Sequence, residues 1–241
     1  MNRNSIPFLL PIRCLLFAVV FFIGAAFTGK ALTDISNWWT VVATAVNVFT
    51  IVLLIVVAKK NGQTYAELIN YEKGKTKIRQ IVIISVVTYL VGMGGMYLAA
   101  LILYGTIMPS VSVVLMAPVS KPLAVLVFLL LPVTTALAED GLYLGYGINR
   151  IGNKVFAVAV PAFFYALQHC FIPLIPDVRY ILYRFFSFLP LTVLYCIYFR
   201  KKRNPLPVMI GHALIDLATV LMVLGTSFVP GMYESMLGQL S

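Results

Sequence analysis

The chain of 241 residues is 61% hydrophobic and only 11% charged, and its mean hydropathy is +0.96. This composition excludes a soluble globular domain, because several apolar stretches approach or exceed the roughly 20 residues that cross a bilayer. The net charge of +10 would fit a nucleic-acid-binding protein, but the basic residues lie between apolar segments, so we expect no nucleic acid partner. We therefore predict an all-α, polytopic transmembrane helical bundle.

The first 80 residues predict a membrane hairpin followed by a cytoplasmic segment. A lead-in at residues 1–13 contains two prolines, which argue against a regular helix there. A short first span follows at about 14–29. A cleaved signal peptide is the alternative for this span, but the next span follows within about ten residues and no convincing cleavage site stands out. The second span begins at the interfacial pair Trp38-Trp39 and ends near Ala58.

The polar stretch at residues 61–80 predicts a short surface helix. Thr64 stands three residues before Glu67, which is the spacing of a capping box at a helix start. The simpler interpretation of the stretch is a solvated loop.

Five further apolar segments make up a membrane core at residues 81–228, and a tail follows at 229–241. Three glycines in the first segment, Gly92, Gly94 and Gly95, permit close helix approach. With the hairpin, the sequence predicts about seven spans; the five in the core lie at about 81–104, 122–149, 155–171, 179–199 and 205–228.

Basic residues collect on one side of the predicted spans, which sets the orientation. That side holds fourteen of the 18 lysines and arginines, namely Arg3, Arg13, Lys59, Lys60, Lys73, Lys75, Lys77, Arg79, Arg150, Lys154, Arg200, Lys201, Lys202 and Arg203. The other side holds Lys30, Lys121, Arg179 and Arg184. The asymmetry predicts a multi-pass protein of the cell membrane with a cytoplasmic amino terminus.

Polar side chains on three spans fall at similar depths. Measured from the basic residues that flank each span, helix rise puts Glu139 roughly 16 Å, His169 roughly 22 Å, His212 roughly 14 Å and Asp216 roughly 20 Å into the membrane. The hydrocarbon layer is about 30 Å thick. Ionisable residues at such depths are rare and usually functional, so we expect these side chains to line one cavity.

Local spacing adds detail to this set. His212 and Asp216 are four residues apart and share one helix face, whereas Glu139 and its neighbour Asp140 point in different directions. Gly141 and Gly145 form a small-residue strip that would admit another helix. The simpler interpretation is that these buried polar residues hold helices together without chemistry.

Three motifs in this order resemble those of the CPBP family of intramembrane proteases, also called Abi, which includes the CAAX prenyl endopeptidases. That family carries Glu-Glu-x-x-x-Arg, then an aromatic residue four before a His, then His-x-x-x-Asn/Asp. The chain has Glu139-Asp140-Gly-Leu-Tyr-Leu144, Tyr165-Ala-Leu-Gln-His169 and His212-Ala-Leu-Ile-Asp216. The resemblance covers residues 122–225.

The resemblance implies a glutamate-type, metal-independent endopeptidase with no cofactor. Glu139 and His169 would activate a water molecule, and His212 with Asp216 would stabilise the oxyanion, supported by Asp140 and Tyr165. Such roles fit the general chemistry of buried bases and preorganised donors. An ionised Asp216 cannot donate a hydrogen bond, so it would be protonated or would orient His212. The two histidines and the glutamate lack the spacing of a usual zinc site.

The first motif departs from the family pattern twice. Its second acid is Asp140, and Leu144 stands where the pattern has arginine. Asp140 is therefore expected to find another polar partner, either Arg184 or a tyrosine. The simpler interpretation of Arg184 is a side chain that reaches the outer membrane surface.

Three functions stay open on the sequence alone. The first is an endopeptidase that cuts a peptide or membrane-protein substrate in contact with membrane lipid. The second is an inactive relative that acts as a scaffold for a membrane-protein partner or as a bacteriocin self-immunity protein, which the Leu144 departure favours. The third is a proton-coupled transporter, although we find no internal repeat of the kind many transporters show.

Overall fold

The structure, a computed structural model, describes residues 7–240. The predicted lead-in at residues 1–13 and the basic residue Arg3 therefore lie partly or wholly outside the described residues. Within them the chain is helical, apart from turns and one isolated bridge between Phe171 and Leu174. The prediction of an all-α fold is confirmed.

Helices follow one another closely along the described part of the chain. In order they are α1 (Ile12–Thr28), α2 (Leu32–Ser36), α3 (Trp39–Lys60), α4 (Tyr65–Leu68), α5 (Ile78–Tyr104), α6 (Lys121–Thr135), α7 (Phe156–Gln168), α8 (Val178–Lys202), α9 (Leu206–Phe228) and α10 (Met232–Leu240). A 3₁₀-helix covers Ser110–Met116, and α6 continues without a break into a π-helix at Ala136–Ile148.

Five of the described helices are long and apolar enough to cross a membrane: α3, α5, α6 with its π continuation, α8 and α9. Two apolar helices are shorter, α1 with 17 residues and α7 with 13. At 1.5 Å per residue α7 is about 20 Å long, which is less than the roughly 30 Å of a hydrocarbon layer. The chain is thus a multi-pass membrane protein, and its seven-span form depends on the two short helices.

Glycines place α5 directly against two neighbouring helices. A Cβ on Gly95 would lie 2.6 Å from the backbone oxygen of Ser187 on α8, and one on Gly92 would lie 3.2 Å from Ile215 on α9. Gly94 has nothing within 4 Å of that position. Two of the three glycines therefore permit the close helix packing that the sequence predicted.

The short helix α4 begins with the predicted capping box. The Thr64 hydroxyl accepts a hydrogen bond from the Glu67 backbone N–H, and the Glu67 carboxylate accepts one from the Thr64 backbone N–H. The exposed Glu67 carboxylate accepts hydrogen bonds from the Thr64 backbone N–H and from the Thr64 hydroxyl, and these two bonds lower its pKa. Cβ atoms on Gly141 and Gly145 would lie 2.5 Å from the Tyr65 hydroxyl and 2.9 Å from Ile69. The strip of Gly141 and Gly145 thus allows α4, and Ile69 that follows it, to pack closely against the π-helix.

Contacts between loops define two ends of the bundle. At one end Arg203 and Asn70 both bond to Asn149, and Thr76 donates to Asn204. This end therefore unites the loops that carry most of the basic residues. At the opposite end Ser36 donates to the Leu174 carbonyl and Thr226 to the Met116 carbonyl.

Arg13 does not belong with the basic end, and the sequence prediction was wrong about it. Its side chain is fully buried on α1 and contacts the interior of the bundle. The reason is that buried polar partners on other helices satisfy the guanidinium, which a count of charges along the chain does not detect.

Candidate active site

The first acidic pair lies in the π-helix that continues α6. Π-helices usually occupy a single turn and are frequent at functional sites, whereas this one spans 13 residues. All of its residues except Leu137 are buried. The backbone therefore presents both acids, Glu139 and Asp140, to the interior of the protein.

Glu139 has two carboxylate oxygens in different surroundings. Oε1 accepts a hydrogen bond of 2.8 Å from Nη2 of Arg13. Oε2 has no hydrogen-bond partner and lies 3.9 Å from Nε2 of His169 and 4.0 Å from Nε2 of His212. One oxygen is held by a cation while the other faces two imidazoles.

Asp140 points to a different set of partners. Its Oδ1 accepts a 3.0 Å bond from the Tyr165 hydroxyl, and its Oδ2 lies 3.4 Å from Nδ1 of His212. The Tyr165 hydroxyl is also 3.0 Å from that nitrogen. Asp140 thus uses a tyrosine, one of the two partners the sequence allowed, and Asp140 and Tyr165 together hold Nδ1 of His212.

The two histidines present the same nitrogen to Glu139. Nδ1 of His169 lies 2.8 Å from the backbone oxygen of Tyr165, so it carries the proton and donates to that oxygen. Nε2 is then free to act as an acceptor. The ring of Phe188 stacks on His169 with a centroid distance of 3.6 Å. The hydrogen bond to Tyr165 and the stacking on Phe188 together fix the orientation of the His169 ring.

Asp216 stands at the edge of this group. Its Oδ2 lies 3.9 Å from Nε2 of His212 and has no hydrogen-bond partner. The side chain is 20% exposed, against 4% for Glu139. Asp216 therefore faces the open part of the site, beside His212.

Arg184 is buried and fills neither of the roles considered from the sequence. It donates to the backbone oxygens of His169 at 3.2 Å and Ile172 at 2.8 Å, and its guanidinium lies over Phe188. Carbonyl groups at the end of a helix lack intrahelical partners, and Arg184 satisfies those that follow α7. It neither pairs with Asp140 nor reaches the outer surface.

A cavity of about 300 Å³ brings four of the predicted residues to one wall. Glu139, His169, His212 and Asp216 all line it, while Asp140 and Tyr165 lie behind. The rest of the wall is mainly apolar and includes Trp39, Tyr89, Met93, Met96, Met116, Phe188 and Met222. Such a cavity, apolar with a few convergent polar groups, is the usual form of a ligand site.

A larger concavity, of about 530 Å³, lies at the basic end near Asn149, Arg200 and Arg203. None of the six predicted site residues lines it, so the smaller cavity is the candidate active site. Among residues 7–240, no three His, Cys, Asp or Glu side chains form a group that could hold a metal ion. The three cysteines are free and buried.

Sequence analysis missed the polar residues behind Glu139. Besides Glu139, the Arg13 side chain donates to Gln168 on α7 and to Asn47 and Thr50 on α3. Asn47 and Thr50 are three residues apart, so they share one face of an apolar helix. That spacing indicates a polar face on α3, but the sequence does not show that Arg13 is the residue bound there.

Comparison with protein families gives one match. Residues 121–218 match the family model described as type II CAAX prenyl endopeptidase Rce1-like. This match agrees with the resemblance of the same region to the CPBP family. The recognition based on three motifs is therefore confirmed, and the matched region contains Glu139, His169, His212 and Asp216 but not Arg13.

No curated protein and no solved structure matches the chain. The match supports a CAAX-type membrane protease as the kind of function. The roles of individual residues rest on the geometry alone.

Proposed function

We propose that the chain is an intramembrane endopeptidase that uses Glu139 and His169 to activate water. One observation carries the proposal: the unpartnered Oε2 of Glu139 faces Nε2 of both histidines on the wall of an apolar cavity. Hydrogen bonds to oxygen measure about 2.7–3.2 Å. Two atoms 3.9 Å apart can therefore both bond to one water molecule placed between them.

The reaction then follows from which atoms can accept and donate protons. Glu139 and His169 hold the water between them, and Glu139 accepts its proton as the water oxygen attacks the peptide carbonyl. When the tetrahedral intermediate collapses, the C–N bond breaks and the same proton passes to the leaving amine. With both ring nitrogens of His212 protonated, Nδ1 donates to Tyr165 and Asp140, while Nε2 faces the cavity and can donate to the developing oxyanion. Asp216 orients the His212 ring and so affects the substrate only indirectly. Neither step requires a metal ion or a cofactor.

The cavity wall favours an apolar substrate segment. Most of its lining side chains are aliphatic, aromatic or methionine, and they come from α3, α5, α8 and α9 as well as α6. The peptide group that is cut would contact only the few polar side chains near Glu139. We therefore propose a peptide or a membrane-embedded protein segment with apolar side chains near the cut bond as substrate.

Comparative peptidomics of cells tests the proposal. Cells that make the wild-type protein should contain a cleavage product that is absent with Glu139→Ala and with His169→Ala. Glu234→Ala is the control, because it changes a carboxylate of α10 outside the cavity. A product that persists at the wild-type level with folded Glu139→Ala contradicts the endopeptidase function.

A scaffold or bacteriocin self-immunity protein is the second candidate. Two observations favour it: Leu144 stands in place of the motif arginine, and one Glu139 oxygen is occupied by Arg13. In that case Glu139→Ala would keep the cellular phenotype, whereas substitutions in the Gly141–Gly145 strip would remove it.

A further inference from the structure

We propose that Arg13 is a positioning residue of the active site, which holds one oxygen of Glu139 so that the other faces the two histidines. The inference rests on the proposed endopeptidase function. It concerns a residue of α1 that lies outside the CPBP region at residues 121–218.

The Arg13 guanidinium is fully buried and satisfied by four side-chain hydrogen bonds. Nε donates to Gln168 at 2.6 Å, Nη1 to Thr50 at 3.0 Å, and Nη2 to both Asn47 and Glu139 at 2.8 Å. These partners come from α3, α7 and the π-helix. Burial of a charge is costly unless it is paired and hydrogen-bonded, and Arg13 has an ion pair with Glu139 and bonds from four of its five N–H donors.

The bond to Glu139 limits how its carboxylate can turn. With Oε1 held at 2.8 Å by Arg13, Oε2 is directed to Nε2 of His169 and of His212. The planar guanidinium presents its donors in a fixed fork, so it sets a direction that a flexible ammonium would not. A carboxylate free to rotate would place its reactive oxygen correctly only part of the time.

Arg13 also ties Glu139 to the helix that carries His169. Its partner Gln168 is the residue before His169 and accepts a second bond, of 3.2 Å, from the Tyr143 hydroxyl. The Tyr143 ring stacks on Tyr165 with a centroid distance of 4.5 Å. The guanidinium therefore connects the two helices whose side chains would share the attacking water.

This arrangement explains how the site can have a cation although Leu144 replaces the motif arginine. Leu144 is fully buried in an apolar cluster with Leu10 and Leu54. The positive charge comes from α1 instead and contacts the first acid, Glu139, rather than Asp140. The CPBP region alone therefore lacks a component that the complete site contains.

Two measurements on the purified full chain test the proposal. The first is kcat and KM, with the peptide identified by peptidomics, for Arg13→Gln, Arg13→Lys and Arg179→Gln. Arg179 is an exposed residue on α8 and serves as the arginine control. The second measurement is a thermal-unfolding cycle in detergent with Arg13→Gln, Glu139→Gln and the double variant, which needs no substrate.

We expect Arg13→Gln to lower kcat by about 10²-fold, the scale of a misplaced catalytic group, with KM within about twofold of the control. Arg13→Lys keeps the positive charge but loses the planar set of guanidinium donors. Its kcat should therefore lie between that of Arg13→Gln and that of the wild type. In the unfolding cycle Arg13→Gln should lower Tm less when Glu139 is already Gln, because no unpaired carboxylate remains. Should Arg13→Gln fail to fold, the kcat of Arg13→Lys tests the proposal: a reduced kcat supports positioning by Arg13, and a wild-type kcat contradicts it.

Specific results overturn the proposal. A folded Arg13→Gln with the kcat of Arg179→Gln, or equal losses of Tm in both Glu139 backgrounds, shows that Arg13 does not position Glu139. A loss of Tm with unchanged kcat assigns Arg13 to helix packing alone. Failure of the endopeptidase function is recognised separately, because Glu139→Ala would then keep the product, and the positioning role falls with it.

Discussion

In Glu139, His169 and His212, one polar atom bonds to the protein and the other faces the site. Glu139 gives one oxygen to Arg13 and the other to the cavity. His169 and His212 each use Nδ1 to contact protein and Nε2 to face Glu139. Such fixed partners keep reactive atoms in place without reorganisation during the reaction.

His212→Ala should lower the cleavage rate by about 10²–10³, the usual cost of losing one oxyanion donor. The physical reason is that Nε2 faces the cavity while Tyr165 and Asp140 hold the other side of the ring. Single-turnover cleavage of the identified peptide measures the effect. A rate within threefold of wild type would exclude His212 from the oxyanion site.

Asp216→Asn should be tolerated, with a rate near that of the wild type. Asp216 lies 3.9 Å from His212 and is the most exposed of the four residues on the cavity wall. An asparagine keeps the shape and adds a donor, and the family pattern admits either residue. The same cleavage assay, with Asp216→Ala as the comparison, checks this outcome, and a large loss in Asp216→Asn would show that the charge itself is needed.

At the scale of elements, the π-helix and α4 fit together because glycines remove side chains between them. The Tyr65 hydroxyl donates to the Leu137 carbonyl of the π-helix and lies where a Cβ of Gly141 would be. The Asn149 side chain donates to the Leu68 carbonyl at 3.0 Å. The polar segment after α3 is therefore anchored against the helix that carries Glu139.

Gly145→Ala should destabilise the protein by about 1–3 kcal/mol, the usual cost of overpacking. The new Cβ would lie 2.9 Å from Ile69 Cγ2 and 3.2 Å from the Leu68 carbonyl oxygen, and backbone atoms cannot move aside easily. Gly94→Ala is the matched control, because nothing lies within 4 Å there. Thermal unfolding in detergent compares the two variants; equal Tm values would contradict the close contact with α4.

At the scale of the whole molecule, loops gather at two ends, and the basic residues other than Arg13 favour one end as a cytoplasmic face. We propose that the amino terminus lies in the cytoplasm. The proposal requires both short helices, α1 and α7, to cross the membrane. Helix α7 has only 13 residues, and Arg184 donates to the carbonyl groups of His169 and Ile172 that follow it.

Cysteine labelling of intact cells tests this topology. Val178→Cys, at the start of α8, should react with a membrane-impermeant maleimide, whereas Lys154→Cys, just before α7, should react only after permeabilisation. The three native cysteines are buried, so the background should be low. Labelling of both positions from one side would show that α7 does not cross, and the reverse pattern would invert the orientation.

Sequence alone predicted the long apolar helices and the four polar residues Glu139, His169, His212 and Asp216 on the cavity wall. The predicted spans at about 81–104 and 205–228 correspond to α5 and α9 within three residues at each end, because apolar length and flanking charges are local properties. Depth along each span is local as well, since helix rise is constant. For this reason Glu139, His169 and His212 could be expected at one level before any packing was known.

Only the tertiary structure decided which polar groups touch. Sequence analysis placed Arg13 among the surface charges and gave Arg184 either a surface role or Asp140 as a partner, yet both are buried and bond to other groups. Their partners lie on other helices or on backbone carbonyls freed at a helix end, and neither is encoded by spacing within a segment. The rotation and tilt of packed helices select such partners, which is why the cation beside Glu139 came from α1 and not from position 144.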